Sequence, residues 1–237
     1  MDKVIVFEVW GDYAHFRQYF TTTSPLSYSV PPRTALAGLI SAITGIYGID
    51  KNEYLKHFTK DKARIALKIT SPIKKVRISE NLIDTKKAKK MHLIKQRTRI
   101  RFEFVKDPKY KIYFAHTDKD LHEKVKGLLQ EHQCIYTPCL GLSELLCNFE
   151  YKGEYKISES QSEGFVMIDS IVPNTYLKEP EFENGKEYFS VIMPAEMKEG
   201  RVVTEYEEVL YERQGDKIKA KVSRFWELEN NERILFL

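Results

Sequence analysis

Residues 29–45, reading SVPPRTALAGLISAITG, constrain the fold of this chain more than any other stretch. Leu36, Leu39, Ile40 and Ile43 recur at i, i+3, i+4 and i+7, the spacing of one helical face. Ala35, Ala37, Gly38, Ser41 and Ala42 fill the rest, so the helix expected over about Thr34 to Ile43 is thin enough to lie close on a packed surface. Gly45 suits its stop. Upstream, Val4 to Trp10 is dense in Val, Ile, Phe and Trp and reads as a buried strand. The helix start thus places a cation, Arg33, and a helix N-terminus at the mouth of whatever that strand builds. Pro31 and Pro32 lack N–H groups, so the Arg33 guanidinium would carry most of any anion contact there.

Charge is unevenly spread. Residues 74–111 hold fourteen Lys/Arg against four Asp/Glu, a local +10, whereas the whole chain carries only +4. A basic block on a mildly acidic body points to a local anionic partner. Inside it, Lys95, Arg97, Arg99 and Arg101 alternate with Gln96, Thr98, Ile100 and Phe102. Residues two apart in a strand share a face, so four cations line one side while the other turns apolar. Lys74, Lys75, Arg77, Lys86, Lys87, Lys89 and Lys90 add to the block. Each phosphate neutralised on a single strand steepens the log–log salt dependence by about 0.7.

Between the first strand and the helix lies an aromatic and hydroxyl-rich loop. Phe16 and Phe20 read as core under it; Tyr13, Tyr19 and Tyr28, mixed with His15 and Arg17, suit a surface on which bases stack. Ala63 to Thr70 alternates as a second strand, Tyr110 to Phe114 is another, and Asp118 to Gln130 is an amphipathic helix. Thr137 to Ser143 forms a loop containing Gly141, and Leu145 to Tyr151 closes the series as a strand. The order strand, helix, strand, basic insertion, strand, helix, strand is the ferredoxin-like split pattern used by RNA-recognition domains. The expected class is α+β: such a domain over 1–155 with an insertion at about 71–98, then a small β-rich domain over 156–237. The latter's short strands, Phe165–Val172, Tyr188–Met193, Arg201–Leu210, Lys217–Val222 and Arg233–Leu237, lie in a segment with ten basic and sixteen acidic residues, which makes RNA phosphate an unobvious partner for it.

Several chemistries find no pattern. His132, Cys134, Cys139 and Cys147 match no common zinc spacing, no HExxH occurs, and no Walker A, GxGxxG or GxSxG motif is present. No cofactor or metal is expected. Three sparse cysteines suit a reducing compartment. No apolar run reaches the length of a membrane span and MDKVIVFEVW lacks a signal-peptide layout, so a cytoplasmic protein without membrane association is expected.

With these residues in hand, the chain resembles CRISPR-associated protein family five of the RAMP superfamily. The likeness rests on Val4–Trp10 leading to PPRTALAGLISAITG, on the basic insertion where the family carries a thumb, and on YTPCLGLSELLCNFEY over 136–151. The ending ERILFL is also family-like, and the first stretch is most similar to the type I-B variety. The resemblance implies a non-catalytic Cascade subunit in antiviral defence that holds the 5′ handle of the crRNA, caps the backbone subunits and neighbours the large subunit. Carried onto this chain, it implicates Arg33, Lys74, Lys75, Lys86, Lys87, Lys89, Lys90, Lys95, Arg97, Arg99, Gly141 and Ser143, beside Arg17, Tyr19, Tyr28, Arg77 and Arg101 from the charge and aromatic pattern. Met91, Leu93 and Ile94 are candidates for packing on a neighbouring subunit. One branch of the family cleaves precursor crRNA without metal. Candidates for that chemistry are Tyr47, His15 and His116, but Ala115 stands where that branch would place a lysine before the histidine. A free-standing single-stranded-RNA-binding domain is the reading outside the family.

Overall fold

The first strand, β1 (Lys3–Trp10), is apolar on both faces. Ile5, Phe7 and Val9 fall to one side and Val4 and Val6 to the other, and none is more than 1 % exposed. A strand of this kind has to be covered twice. The computed structural model shows how, describing residues 1–21, 23–46, 54–83, 88–93 and 97–237, with the backbone alone at 88, 90 and 91.

In chain order β1 is followed, after two-residue strands at 13–14, 16–17 and 27–28, by α1 (Arg33–Thr44), the single turn α2 (Tyr54–His57), β2 (Ala63–Ile69), β3 (Lys74–Ile83), β4 (Arg97–Lys106), β5 (Lys109–His116), α3 (Lys119–Gln130) and β6 (Asn148–Ser160). Eight further strands follow. They are a two-residue strand at 172–173 and β7 (Val166–Ile168), β8 (Leu177–Glu181), β9 (Tyr188–Lys198), β10 (Val202–Glu212), β11 (Ile218–Val222), β12 (Phe225–Leu228) and β13 (Arg233–Ile234). The chain is therefore a strand-rich α+β fold. Its main sheet runs β13-β12-β6-β1-β5-β2, antiparallel at every pairing.

Helices cover one side of that sheet. Leu36, Leu39, Ile40 and Ile43 of α1 are buried against Ile5, Phe7, Ile65, Leu67, Ile112 and Phe114. Gly45, at φ 72°, ends α1 in the left-handed region, as expected from the sequence. Helix α3 starts on Asp118, whose carboxylate accepts from the amides of Asp120 and Leu121, and buries Leu121, Val125 and Leu129. Each fully buried Leu, Ile or Phe here contributes about 1.5–3 kcal/mol over its exposed state.

The opposite face carries Val4, Val6, Ala66, Tyr113 and Ala115, and it is not open. Trp226, Phe225, Phe236, Ile218 and Val222 close over it from the C-terminal strands. A polar knot fastens the two layers. Lys68 Nζ lies 2.8 Å from Asp169 and Lys111 Nζ 2.8 Å from Glu232, with Lys217 3.3 Å from Asp169. Asp169, 1 % exposed at its side chain, also accepts from the Arg233 amide at 3.0 Å.

Strand β6 runs without interruption through the boundary expected near 155, because β12 pairs with its second half from Ile157 to Ser160. The C-terminal strands thus extend the main sheet as well as covering it. The strand expected at 165–172 is broken between β7 and 172–173, and β3, β8 and β12 arise where no strand was expected.

Candidate nucleic-acid interface

The basic insertion folds as a long hairpin of β3 and β4. Residues directly opposed in an antiparallel pair share a face. The register sets Arg77 opposite Glu103, Ser79 opposite Arg101, Asn81 opposite Arg99 and Ile83 opposite Arg97. Arg97, Arg99 and Arg101 therefore line one face, as the alternation predicted, all exposed and without an ion pair among the described residues. The other face carries Val76, Ile78, Ile100, Phe102 and Phe104. Its base is sealed by His15, whose ring lies 5.6 Å from Phe102 and 5.7 Å from Phe104.

Lys75 and Arg77 are drawn to a different task. Lys75 Nζ stands 2.9 Å from one Glu103 oxygen and Arg77 Nη2 3.4 Å from the other. Burial pushes the Glu103 carboxyl up, but the Lys75 bond and charge, the Ser27 backbone and Arg77 together hold it below its ordinary value. Lys75 is thus tied into the protein, whereas Arg77, 60 % exposed, keeps most of its side chain in solvent. Lys74 and Lys89 are exposed, while Lys86, Lys87, Lys95 and the side chain of Lys90 lie outside the described residues. Leu93 is exposed; Ile94 and the Met91 side chain also lie outside that set.

Beside the hairpin base lies a groove of about 470 Å³. Its walls are α1, the segment 15–28, the Gly141 loop and the tip of the β9–β10 hairpin. Gly141, at φ +103°, is essential to this shape: a Cβ there would stand 2.0 Å from the His15 carbonyl oxygen. The approach is fixed by the His15 amide, which donates to Leu140 O at 3.0 Å. Arg17 is exposed at the groove and donates to the Thr21 carbonyl at 3.0 Å. Ser143 is exposed on the same loop, its hydroxyl turned to Glu144 at 3.2 Å. Tyr19, 62 % exposed, packs 5.3 Å from Phe20 and 5.2 Å from Tyr206.

Several expectations are corrected by burial. Arg33 is 2 % exposed, and its guanidinium donates to Ala63 O at 2.7 Å and Ala195 O at 3.4 Å. It pins α1 to β2 and β9 and offers no surface to RNA; burial brings its pKa down to about 10. Tyr28 is 1 % exposed and no stacking surface; burial, with the Tyr19 and Tyr206 hydroxyls near, pushes its phenol up to about 12. Phe20, expected in the core, is 60 % exposed, whereas Phe16 is buried.

The catalytic candidates stand apart. His15 is 2 % exposed, holds Glu103 O through Nδ1 at 2.8 Å, and has its pKa lowered mainly by burial. His116 is 6 % exposed with both ring nitrogens engaged, Nε2 with His57 O at 2.7 Å and Nδ1 with the Asp118 amide at 3.0 Å. Tyr47 lies outside the described residues. Of the cysteines, Cys134 is exposed, and burial pushes Cys147 up to about 12. The one His/Cys/Asp/Glu group with ligand-like spacing among the described residues, His122, Glu123 and Glu154, is already crossed by Lys3 and Lys126 on Glu154.

Two residues escaped the sequence reading: Arg201, which lines the groove, and Tyr206, which packs on Tyr19. Both sit on the β9–β10 hairpin, in the segment whose net acidity argued against RNA. Only the three-dimensional return of that hairpin to Tyr19 shows them.

Among curated proteins none matches the chain. A CRISPR protein from Archaeoglobus fulgidus superposes with a TM-score of 0.55 at 16 % identity, over 98 % of each chain. A chain of a CRISPR RNA-guided surveillance complex gives 0.53 at 9 % identity, over 97 % of this chain and 92 % of that one. A chain of a type III-B Cmr-beta complex bound to cognate target RNA and AMPPnP gives 0.52 at 10 % identity, over 92 % and 86 %. At these identities the superpositions speak for the fold. The model of the family described as CRISPR-associated protein (Cas_Cas5) matches residues 4–208, and the chain belongs to that family.

Proposed function

We propose that this protein is a non-catalytic subunit of a type I CRISPR effector complex, of the I-B variety, and that it holds the 5′ handle of the crRNA. The carrying observation is the face of β4, where Arg97, Arg99 and Arg101 stand exposed and without ion pairs among the described residues. Unpaired guanidiniums two residues apart on a protruding hairpin suit phosphates of a single strand. The order β6-β1-β5-β2, with α1 and α3 as crossovers, supports a ferredoxin-like, RNA-recognition-like domain. Its sheet face is buried, so RNA runs along the hairpin and groove instead. The apolar face of the hairpin suits the adjacent backbone subunit, and the large subunit lies at the same end.

The engaged nitrogens of His116 and the burial of His15 favour holding RNA over cutting it. The protein incubated with repeat RNA in EDTA should leave it intact. Cleavage inside the repeat, abolished by His116→Ala or Tyr47→Phe, would replace this reading with a processing endoribonuclease. Arg97→Ala with Arg99→Ala should flatten the log–log salt slope of RNA binding by about 1.4, two phosphates at about 0.7 each. An unchanged slope would remove the stripe as a phosphate contact. The protein should co-purify with crRNA and a backbone subunit; purification without either would count against an effector role.

A further inference from the structure

We propose that a pocket on the side of the main sheet away from α1 binds a single carboxylate group, with the guanidiniums of Arg64 and Arg224 as its receptors. The inference is independent of the RNA-binding reading. Arg64 lies on β2 and shares a face with Ala66, which packs under the C-terminal layer, while Ile65 and Leu67 turn to the helices.

Three observations carry it. The first is how the two arginines are held. Arg64 Cζ lies 5.3 Å from the centre of the Trp226 ring and 5.8 Å from that of Phe236. Arg224 Cζ lies 5.4 Å from the same Trp226 ring and 5.5 Å from Tyr176. Trp226 is 4 % exposed and is braced edge-on by Phe236 at 4.9 Å and by Tyr176 at 5.7 Å. A guanidinium over an aromatic face is attracted by the ring and keeps its in-plane N–H fork for a planar anion.

The second observation is that these forks lack an acceptor. Arg64 has no hydrogen bond or ion pair among the described residues. Arg224 makes one ion pair among them, from Nη1 to Glu159 at 3.4 Å, and its side chain is 48 % exposed. Both arginines line the pocket, together with Lys60 and one acidic side chain, Glu207. The Glu207 carboxylate is engaged elsewhere: it accepts from the Thr175 amide at 3.1 Å and hydroxyl at 2.8 Å, and Lys60 Nζ lies 3.6 Å away. Lys60 is spent in turn on Glu205, at 2.6 Å. The concentration of guanidinium is local, since residues 163–237, which supply most of the walls, carry ten basic and sixteen acidic residues.

The third observation is size. The pocket holds about 190 Å³, below the range of about 300–1,000 Å³ for sites that take whole small molecules. Ala63, Trp226, Phe236 and Leu237 add an apolar lining. The space suits one carboxylate on a short carbon stem and is too small for a nucleotide. Two sources present that group, a small carboxylic acid and an acidic side chain of a protein partner. Arg, Trp and Tyr are the residue types that anchor protein interfaces.

The test uses the full chain carrying Trp10→Phe, which leaves Trp226 as its single tryptophan and reporter. Propionate, titrated against chloride at constant ionic strength, should change the fluorescence to saturation and raise Tm. Arg64→Gln and Arg224→Gln should each weaken that response about tenfold, the loss of one charge-assisted contact. A capped pentapeptide with one central glutamate, and the same peptide with glutamine, tell the two sources apart. Glutamate-peptide binding about tenfold or more tighter than propionate, with the glutamine peptide silent, assigns the pocket to a protein partner; binding within that factor assigns it to small acids. No saturable change with propionate or the glutamate peptide overturns the proposal, and so does a response unchanged in both Gln variants. An equal response to inorganic phosphate overturns the choice of carboxylate. Should Arg64→Gln lose its thermal transition, Arg224→Gln decides, because that side chain is 48 % exposed: an unchanged titration overturns the assignment.

Discussion

Asp169→Ala should separate the C-terminal layer from the main sheet. The Asp169 carboxylate is 1 % exposed and is met by Lys68 at 2.8 Å, Lys217 at 3.3 Å and the Arg233 amide at 3.0 Å. Removing one partner of a buried pair costs about 3–5 kcal/mol because the other is left uncompensated. Here Lys68 is 19 % exposed and keeps Glu232 at 3.6 Å, which places the loss near the lower end, about 3 kcal/mol. For a chain of this length that is roughly 6–12 °C in Tm. Lys217→Ala is the matched control: its side chain is 48 % exposed, so the loss should stay within about 1 kcal/mol. Thermal and urea unfolding followed by circular dichroism measures both, and adding Lys68→Ala completes a double-mutant cycle. An Asp169→Ala cost no larger than that of Lys217→Ala would refute the argument that this carboxylate fastens the layers. The same knot predicts an acid limb. Burial raises both carboxyls, but Lys68, the Arg233 amide and Lys217 at Asp169, and Lys111, the Asn230 side chain and Lys68 at Glu232, outweigh it and hold them below their ordinary values of 3.8 and 4.5. Their contribution is complete above those values and is lost as the pH falls through the lower folded-state values.

Gly141→Ala forces a Cβ that would lie 2.0 Å from the His15 carbonyl oxygen back to ordinary contact at 3.4 Å, so the loop must withdraw by about 1.4 Å. With the cost of a non-glycine residue at φ +103°, about 1–3 kcal/mol, both stability and RNA affinity should fall, in the same unfolding and binding assays. Arg33→Leu should lower stability by about 2–4 kcal/mol, since two buried carbonyls lose their donor. It should leave the RNA affinity of the folded protein unchanged; a loss of affinity with stability intact would return Arg33 to the RNA surface.

Local periodicity carried much of this fold in the sequence. The α1 stripe, the α3 cap and stripe, and the alternation in β4 each need only neighbours a few residues away, so the chain states them directly. The arginine stripe was legible for the same reason. What failed was everything decided by a distant partner. Arg33 beside two prolines looks like an anion contact until β2 and β9 supply carbonyls from 63 and 195. Lys75 counts as free charge until Glu103 arrives beside it on the facing strand of the hairpin. Tyr28 and Phe20 exchange the roles expected of them, because hydroxyl and hydrophobic content says little about which side of a loop the core lies on. Tyr206 gives no local sign at all; its meaning comes from Tyr19.

The central position of β1 has a consequence in time. Its register joins Lys3 to Lys156 on one side and Trp10 to Lys109 on the other. At about 5–20 residues per second of synthesis, its second neighbour follows it off the ribosome by roughly 8–30 s. Throughout that interval a strand apolar on both faces has at least one unpaired edge, and Val4, Val6 and Tyr113 await their cover from strands later still. Non-local pairing of this kind slows folding and leaves sticky intermediates. The nascent chain is thus most vulnerable to aggregation before residue 160 appears, and yield should respond to translation speed and chaperone supply more than to changes at the exposed hairpin tip.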